Sequence, residues 1–277
     1  FCVFNSSPLS VQSIMKKFIS NSKSLIFCSA TLSINGDFSY FLKDSGLDRV
    51  LIDKNLQFKN FESPFYYNDQ IKLFFYNSKE DVNSDAFVKK IYQLIMDIKK
   101  RVDKRMLILC TSFKQIEAFK YILNENKIEN ILYQNSSSSK ERLLKEYIKN
   151  SKSILFGTNS FWEGIDLPDE LLEVLIILKV PFSNPHNPII SAKIDIYNNE
   201  GLNPFYQYQI PQAILKLKQG IGRLIRSHND SGVCILADTR LMNKQYGQII
   251  MDSLPARGNI TSENSLIVNK TETFLNI

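Results

Sequence analysis

Short apolar runs carrying β-branched residues, at residues 24–28, 106–110, 153–156, 174–180 and 233–237, alternate along this chain with segments whose apolar residues recur at helical spacing. That alternation constrains the fold more than any other feature. It is the pattern of an α/β domain, in which crossover helices cover both faces of a mainly parallel sheet. Phe87, Ile91, Leu94, Ile95 and Ile98 mark one helix, and Ile116, Phe119, Lys120 and Leu123 mark the next. A third is expected over 140–149, after a serine cluster at 136–139 that can cap it. Further helices are expected at about 211–225 and 244–251, and no internal repeat is present.

At 277 residues with 44% hydrophobic content, the chain can hold one large domain or two around a buried core. A net charge of +6 favours a polyanionic partner, but 34 basic against 28 acidic residues is a mild excess that identifies no nucleic-acid protein by itself. Cys2, Cys28, Cys110 and Cys234 lie far apart with no CxxC pair, so neither a zinc knuckle nor a local iron–sulfur motif is written here. With no apolar stretch of ~18 residues and no signal-peptide pattern, the expectation is a soluble, cytoplasmic protein. The chain begins at Phe1 without an initiator methionine and is expected to be a piece of something longer.

In α/β folds ligands bind outside the carboxyl ends of the strands. Small polar residues gather after four of the expected strands: Ser29-Ala30-Thr31, Thr111-Ser112-Phe113, the stretch 157–166, and Pro181-Phe182. Any one of these could be an ordinary cap or turn; four at equivalent ends point to a site. The segment Gln219-Gly220-Ile221-Gly222-Arg223-Leu224-Ile225-Arg226 adds two arginines three residues apart. On a helix that spacing puts both on one face, where their planar, permanently charged guanidinium groups can meet one phosphate. A dinucleotide fingerprint fails, since its third glycine would fall on Ile225 and no strand leads into Gly220. A solvated basic face accounts for Lys216 and Lys218 but not for Gly222 set before Arg223.

Ser29-Ala30-Thr31, the stretch 157–166 and the stretch 219–226 resemble, in this order, motifs III, V and VI of superfamily 2 helicases. Longer wordings are similar to the DinG family, the bacterial relatives of XPD: SFWEGIDLP at 160–168, KVPFSNPHNP at 179–188, GLNPFYQYQIPQA at 201–213 and LKQGIGRLIRSHNDSG at 217–232. Ser63-Pro64-Phe65 and Ala237-Asp238-Thr239-Arg240 fit the same family, and the similarity runs nearly end to end. The resemblance implies a RecA-like P-loop NTPase architecture with ATP between two lobes and single-stranded DNA across their tops. Residues 1–58 then correspond to the tail of the first lobe and 59–277 to the whole second lobe. Neither a GxxxxGK[ST] phosphate loop nor a DEAH-like box occurs, so the parts that would cradle ATP and hold Mg2+ are not in this chain. No iron–sulfur cluster is encoded in this segment.

By the same resemblance Arg226 is the finger that stabilises transition-state charge, Arg223 its partner near the γ-phosphate, and Gln219 a link to the opposite lobe. Glu163, Gly164 and Asp166 are the nucleotide-binding part of motif V, whose carboxylates either contact the nucleotide ribose or hold the arginines in place, with Asp166 also open to the plainer role of a turn residue before Pro168. Ser29, Ala30 and Thr31 join ATP turnover to DNA grip. Thr111, Ser112, Thr158 and Ser160 are the expected DNA contacts, through hydroxyls and amides that suit phosphate oxygens. Trp162 either stacks a base or packs beneath its turn. His186 and His228 stand alone and carry no assigned chemistry.

The function so implied is the motor half of an ATP-dependent 5′ to 3′ DNA helicase. Two alternatives remain: the helicase-like part of a DinG-type 3′-5′ exonuclease, regulating nuclease action, and a non-catalytic nucleic-acid-binding module. Acidic residues of the DEDD type in upstream sequence distinguish the first alternative; DNA binding indifferent to ATP distinguishes the second.

Overall fold

Four of the five apolar runs become strands, because each lies where a neighbour on either side can satisfy its backbone. The structure, a computed structural model, describes residues 7–50, 56–126, 128–135, 139–158, 161 and 172–275. Strands β1 (Ile71–Tyr76), β2 (Met106–Leu109), β3 (Ile131–Tyr133), β4 (Ile154–Gly157), β5 (Val174–Ile177), β6 (Gly232–Leu236) and β7 (Gly258–Thr261) form one seven-stranded sheet in the order β3-β4-β2-β5-β6-β1-β7. Every pairing is parallel. All residues of the inner strands β2, β4, β5 and β6 are buried, as a sheet covered on both faces requires. The edge strands β3 and β7 are short and partly exposed; with β1, interrupted by Lys72, they lack the apolar signal that marked the others.

Helix α5 (Asp85–Arg101) buries Phe87, Ile91, Leu94, Ile95 and Ile98 against the sheet, the face its spacing predicts. The Ser84 hydroxyl accepts its first free amide from Phe87 at 3.1 Å, and Lys99, Lys100 and Arg101 sit where the helix dipole favours cations. Helix α6 (Phe113–Glu125) is capped by Ser112, and α7 (Lys140–Lys149) has the expected bounds and is capped by Ser139. Residues 136–138 lie outside the described residues. The ring of Phe156 lies between Phe119 and Tyr133, with centroids 5.4 Å from each, and ties α6 to two strands of the core.

The chain packs as two compact units. One comprises the described residues of Phe1–Glu62 and Phe182–Leu215; the other, Ser63–Pro181 with Lys216–Ile277, holds the sheet. Residues 182–215 group with the described amino-terminal residues. Within that first unit, helices α1 (Gln12–Ser20), α2 (Ser39–Ser45) and α3 (Leu47–Val50) accompany the helix Pro188–Asn199. Lys43 bonds Glu200 at 2.7 Å and stands 4.5 Å from the Tyr197 ring centroid, while Lys193 bonds Asp44 and lies over Tyr208. Arg49 also meets Glu200. A π-helical turn, Phe205–Gln209, precedes the helix Ile210–Ile221. Pro211 explains it: with no N–H to give Gln207 and a ring that presses on that carbonyl, it favours a wider turn.

The run at 24–28 forms no strand, contrary to expectation, and each of its residues is exposed. The reason is the absence of a neighbour. No described strand lies beside it to pair its backbone, and an apolar run without a ladder cannot satisfy its N–H and C=O groups by burial.

Candidate functional site

The helix Ile210–Ile221 ends two residues before Arg223. Gly222 N–H still reaches Lys218 O at 2.9 Å, but Arg223 N–H turns to Gly220 O at 3.2 Å and Leu224 N–H to Ile221 O at 3.0 Å, tight steps that close the helix. The helix stops at Ile221 rather than at about 225, so Arg223 and Arg226 do not share a helical face. Two glycines lower the local helix propensity, and Asp230 captures the amides that a further turn would have used. Its Oδ2 accepts from Arg226 N at 2.7 Å and Ser227 N at 2.8 Å, and its Oδ1 from the Ser227 hydroxyl at 2.9 Å. Burial raises the Asp230 pKa, yet these bonds and the nearby Arg226 guanidinium outweigh it and hold the carboxyl below its ordinary range.

A second clamp comes from α4 (Tyr67–Gln70). The buried Gln70 aims its Nε2 at the carbonyls of Ser227, His228 and Asp230, at 3.0, 3.2 and 3.0 Å, and its Oε1 accepts from Tyr66 N at 3.0 Å. The Phe65 ring lies 5.5 Å from the His228 ring, centroid to centroid. Leu224 packs so closely on Gly232 that a Cβ there would sit 2.8 Å from its Cδ2. Because Ile71 pairs with Gly232 in register, Gln70 and the end of the arginine loop meet at the amino ends of neighbouring strands β1 and β6.

The two arginines have different charge neighbours. Arg226 acts on Asp230, whereas Arg223 acts on Lys140 at the start of α7, whose pKa is lowered first by burial and then by that guanidinium. Gln219 is exposed on the last helical turn, and burial lowers the pKa of its neighbour Lys218.

The polar set predicted for DNA lies at the other end of the sheet. Thr111 and Ser112 follow β2, and Thr158 follows β4, at carboxyl ends that neighbour one another in the ladder. Ser112 Oγ accepts from Gln115 N, and Gln115 Oε1 accepts from Thr111 N. Thr158 gives both its donors to one atom: its N–H and its hydroxyl reach Gln134 Oε1 at 2.7 and 3.0 Å. After β5, Lys179 bonds Asn83 at 2.8 Å, and its pKa is lowered by burial and then by Arg240, with Asp238 and Asp81 opposing. Among the described residues no three His, Cys, Asp or Glu side chains converge as a metal site would need, and no helix is long and apolar enough to cross a membrane.

Residues 95–257 match the family described as the helicase C-terminal domain. The chain belongs to that family. It is similar to the ATP-dependent DNA helicase YoaA of Haemophilus influenzae, with 34% identity over 250 residues covering 90% of this chain and 37% of that protein. It is also similar to the 3′-5′ exonuclease DinG of Bacillus subtilis, 29% over 266 residues covering 94% and 28%. With the ATP-dependent DNA helicase DinG of Photobacterium profundum, identity is 33% over 258 residues, covering 90% and 36%. The chain thus spans 28 to 37% of the length of these relatives. Its fold is shared with a solved XPD helicase at TM-score 0.60 and 18% identity, covering 84% of this chain and 42% of that one. A second XPD structure gives 0.54 and 21%, covering 82% and 47%. The resemblance to the DinG family and the RecA-like α/β class are both borne out.

Of the residues singled out for this helicase C-terminal domain, Ser160, Trp162, Glu163, Gly164 and Asp166 lie outside the described residues. Ser29, Ala30 and Thr31 belong to the first compact unit, where they form a local turn: Thr31 N–H reaches Ser29 Oγ at 3.2 Å and the two hydroxyls are 3.2 Å apart. Within the sheet unit, the Arg226 backbone amide is held just before the amino end of β6, whereas Thr111, Ser112 and Thr158 follow the carboxyl ends of β2 and β4. Gln70, Gln134 and Asp230 escaped the sequence analysis. Asp230 had a signal, a polar turn of His228-Asn229-Asp230 just before an apolar strand; Gln70 and Gln134 had none, since their partners lie far along the chain.

Proposed function

We propose that this helicase C-terminal domain is the second motor lobe of a cytoplasmic, ATP-dependent 5′ to 3′ DNA helicase acting on single-stranded DNA in repair or replication. The observation that carries the reading is the separation of two polar sets across one parallel sheet. Arg226 is anchored at the amino end of β6, and the hydroxyl set Thr111, Ser112 and Thr158 gathers at the carboxyl ends of β2 and β4. Strands of four or five residues hold such sets apart by roughly 13–16 Å. In this reading charge sensing lies at one rim and backbone grip at the other.

In this reading ATP and Mg2+ are held chiefly by a first lobe carrying the phosphate loop, and residues 1–58 are its tail. The exposed apolar side chains of Leu25, Ile26 and Phe27 are what such a lobe would cover. Arg226 reaches the charge that develops on the γ-phosphate when the lobes close, with Arg223 beside it and Gln219 bonding across the cleft. Glu163, Gly164 and Asp166 complete the nucleotide contacts, Ser29, Ala30 and Thr31 couple turnover to grip, and Ser160 and Trp162 extend the DNA contacts.

The names of the relatives favour a second reading. A B. subtilis protein similar over 94% of this chain is called a 3′-5′ exonuclease, and in this second reading the lobe regulates a nuclease.

The test is Arg226→Ala in the full-length protein. The DNA-stimulated ATPase rate should fall by a factor on the order of 10³ with little change in ATP affinity, since a finger acts mainly in the closed transition state. Arg226→Lys should recover little, because an ammonium lacks the planar fork. Wild-type turnover in Arg226→Ala ends the motor reading; ATP-independent strand degradation that survives it favours the nuclease.

A further inference from the structure

The geometry points to Gln70 and Asp230 as positioning residues that cast the arginine loop, setting where Arg226 starts its reach toward the nucleotide. The inference rests on the reading of Arg226 as the finger and extends it to residues outside motif VI.

A finger must deliver its guanidinium to within a fraction of an ångström from a long, flexible side chain, so its backbone has to be held from elsewhere. No helix or strand holds Arg226. Its backbone N–H is instead bound by Asp230 Oδ2, and the same oxygen binds the next amide, that of Ser227. From the opposite side Gln70 binds the carbonyls of Ser227, His228 and Asp230. An amide nitrogen has two protons, so one is shared, and only the nitrogen end of the carboxamide could face three acceptors. Its oxygen is fixed by Tyr66 N–H. Gln70 is 9% exposed and Asp230 7%, so water does not compete for these bonds as it would at a surface.

The clamp also joins the loop to the strongest part of the fold. Gln70 is the last residue of α4 and runs directly into β1, which is paired with β6 on one side and β7 on the other. Any displacement of the loop must therefore break bonds to the sheet rather than flex a free turn. Phe65, in the Ser63-Pro64-Phe65 segment, adds its ring against His228. That segment thereby gains a role: it and Gln70 form the seat of the arginine loop, about 160 residues away in sequence, as the Gln70 to Asp230 separation shows.

Two isosteric variants in the full-length protein test the inference: Asp230→Asn, which keeps one acceptor and loses the other, and Gln70→Met, which keeps shape and loses every bond. Each should lower kcat of the DNA-stimulated ATPase by about 10- to 100-fold with KM for ATP nearly unchanged, the size of effect expected when a catalytic group is misplaced by about 1 Å. Combined with Arg226→Ala, neither should lower kcat further, because the clamp acts only through that side chain. Asp230→Ala should be worse than Asp230→Asn. If Arg226→Ala abolishes turnover while both clamp variants keep wild-type kcat, the inference fails and the motor reading stands. If the clamp variants lower kcat as much on the Arg226→Ala background as alone, they act through general structure and the inference also fails. If Arg226→Ala itself is silent, the motor reading has failed first. Should one clamp variant not fold, the other, on a different element, decides.

Discussion

Asp238 accepts the backbone N–H of Val180 at 2.8 Å while also binding the Arg240 guanidinium, so one carboxylate joins the carboxyl ends of β5 and β6. Asp238 is fully buried; the Arg240 backbone N–H also reaches it at 3.0 Å, and Lys179 lies within its electrostatic reach. Replacing Asp238 with alanine strands two amides and a cation. The expected loss is about 3 kcal/mol, the low end for breaking a buried pair, because Arg240 keeps 34% of its side chain exposed. Arg240→Ala leaves a buried carboxylate with two backbone amides and no guanidinium and should also destabilise. Urea midpoints for the two variants check this; an Asp238→Ala midpoint equal to wild type would remove the proposed brace.

The Asp230 carboxyl has a depressed pKa in the folded chain. A depressed acid stabilises the fold fully above its unfolded pKa of about 3.9, and the contribution is lost as pH falls through the folded value. The stability difference between wild type and Asp230→Asn should therefore be constant from about pH 8 to pH 5 and shrink below about pH 4. Denaturant melts at several pH values measure it. A difference that grows toward low pH would contradict the bonds assigned to Asp230.

Thr158 cannot offer its amide or hydroxyl proton to a phosphate while Gln134 holds both. Replacing Gln134 with alanine frees two convergent donors, each hydrogen bond being worth about 1 kcal/mol net. Single-stranded DNA should then bind about 3- to 10-fold more tightly at fixed salt, and the gain should vanish in Gln134→Ala combined with Thr158→Val. Fluorescence anisotropy with a short oligonucleotide gives the comparison. Unchanged affinity in Gln134→Ala would show that Thr158 makes no phosphate contact.

The purified chain alone should hydrolyse no ATP above background, because the phosphate loop that supplies most nucleotide affinity and the magnesium site is not in its sequence. It should bind single-stranded DNA weakly and with a steep salt dependence. ATP turnover by the chain that disappears in Arg226→Ala would overturn the assignment of roles between lobes.

Local signals were enough for much of this protein. The helix at Lys140–Lys149 has the bounds its apolar spacing and preceding serine predict, and the face of α5 is the one its periodicity marks, since caps and periodicity act over a few residues. The inner strands were legible because burial on both faces demands an unbroken apolar run. Arg223 and Arg226 were legible as residues but not as geometry. Whether the chain stayed helical to Arg226 was decided by Asp230 and Gln70, which offer its amides and carbonyls better partners than another helical turn beyond Gly220 and Gly222. Residues 24–28 show the same limit from the other side: an apolar run states that a strand could form, but a strand exists only where a neighbouring backbone arrives to pair with it, and which backbone arrives is a property of the tertiary fold.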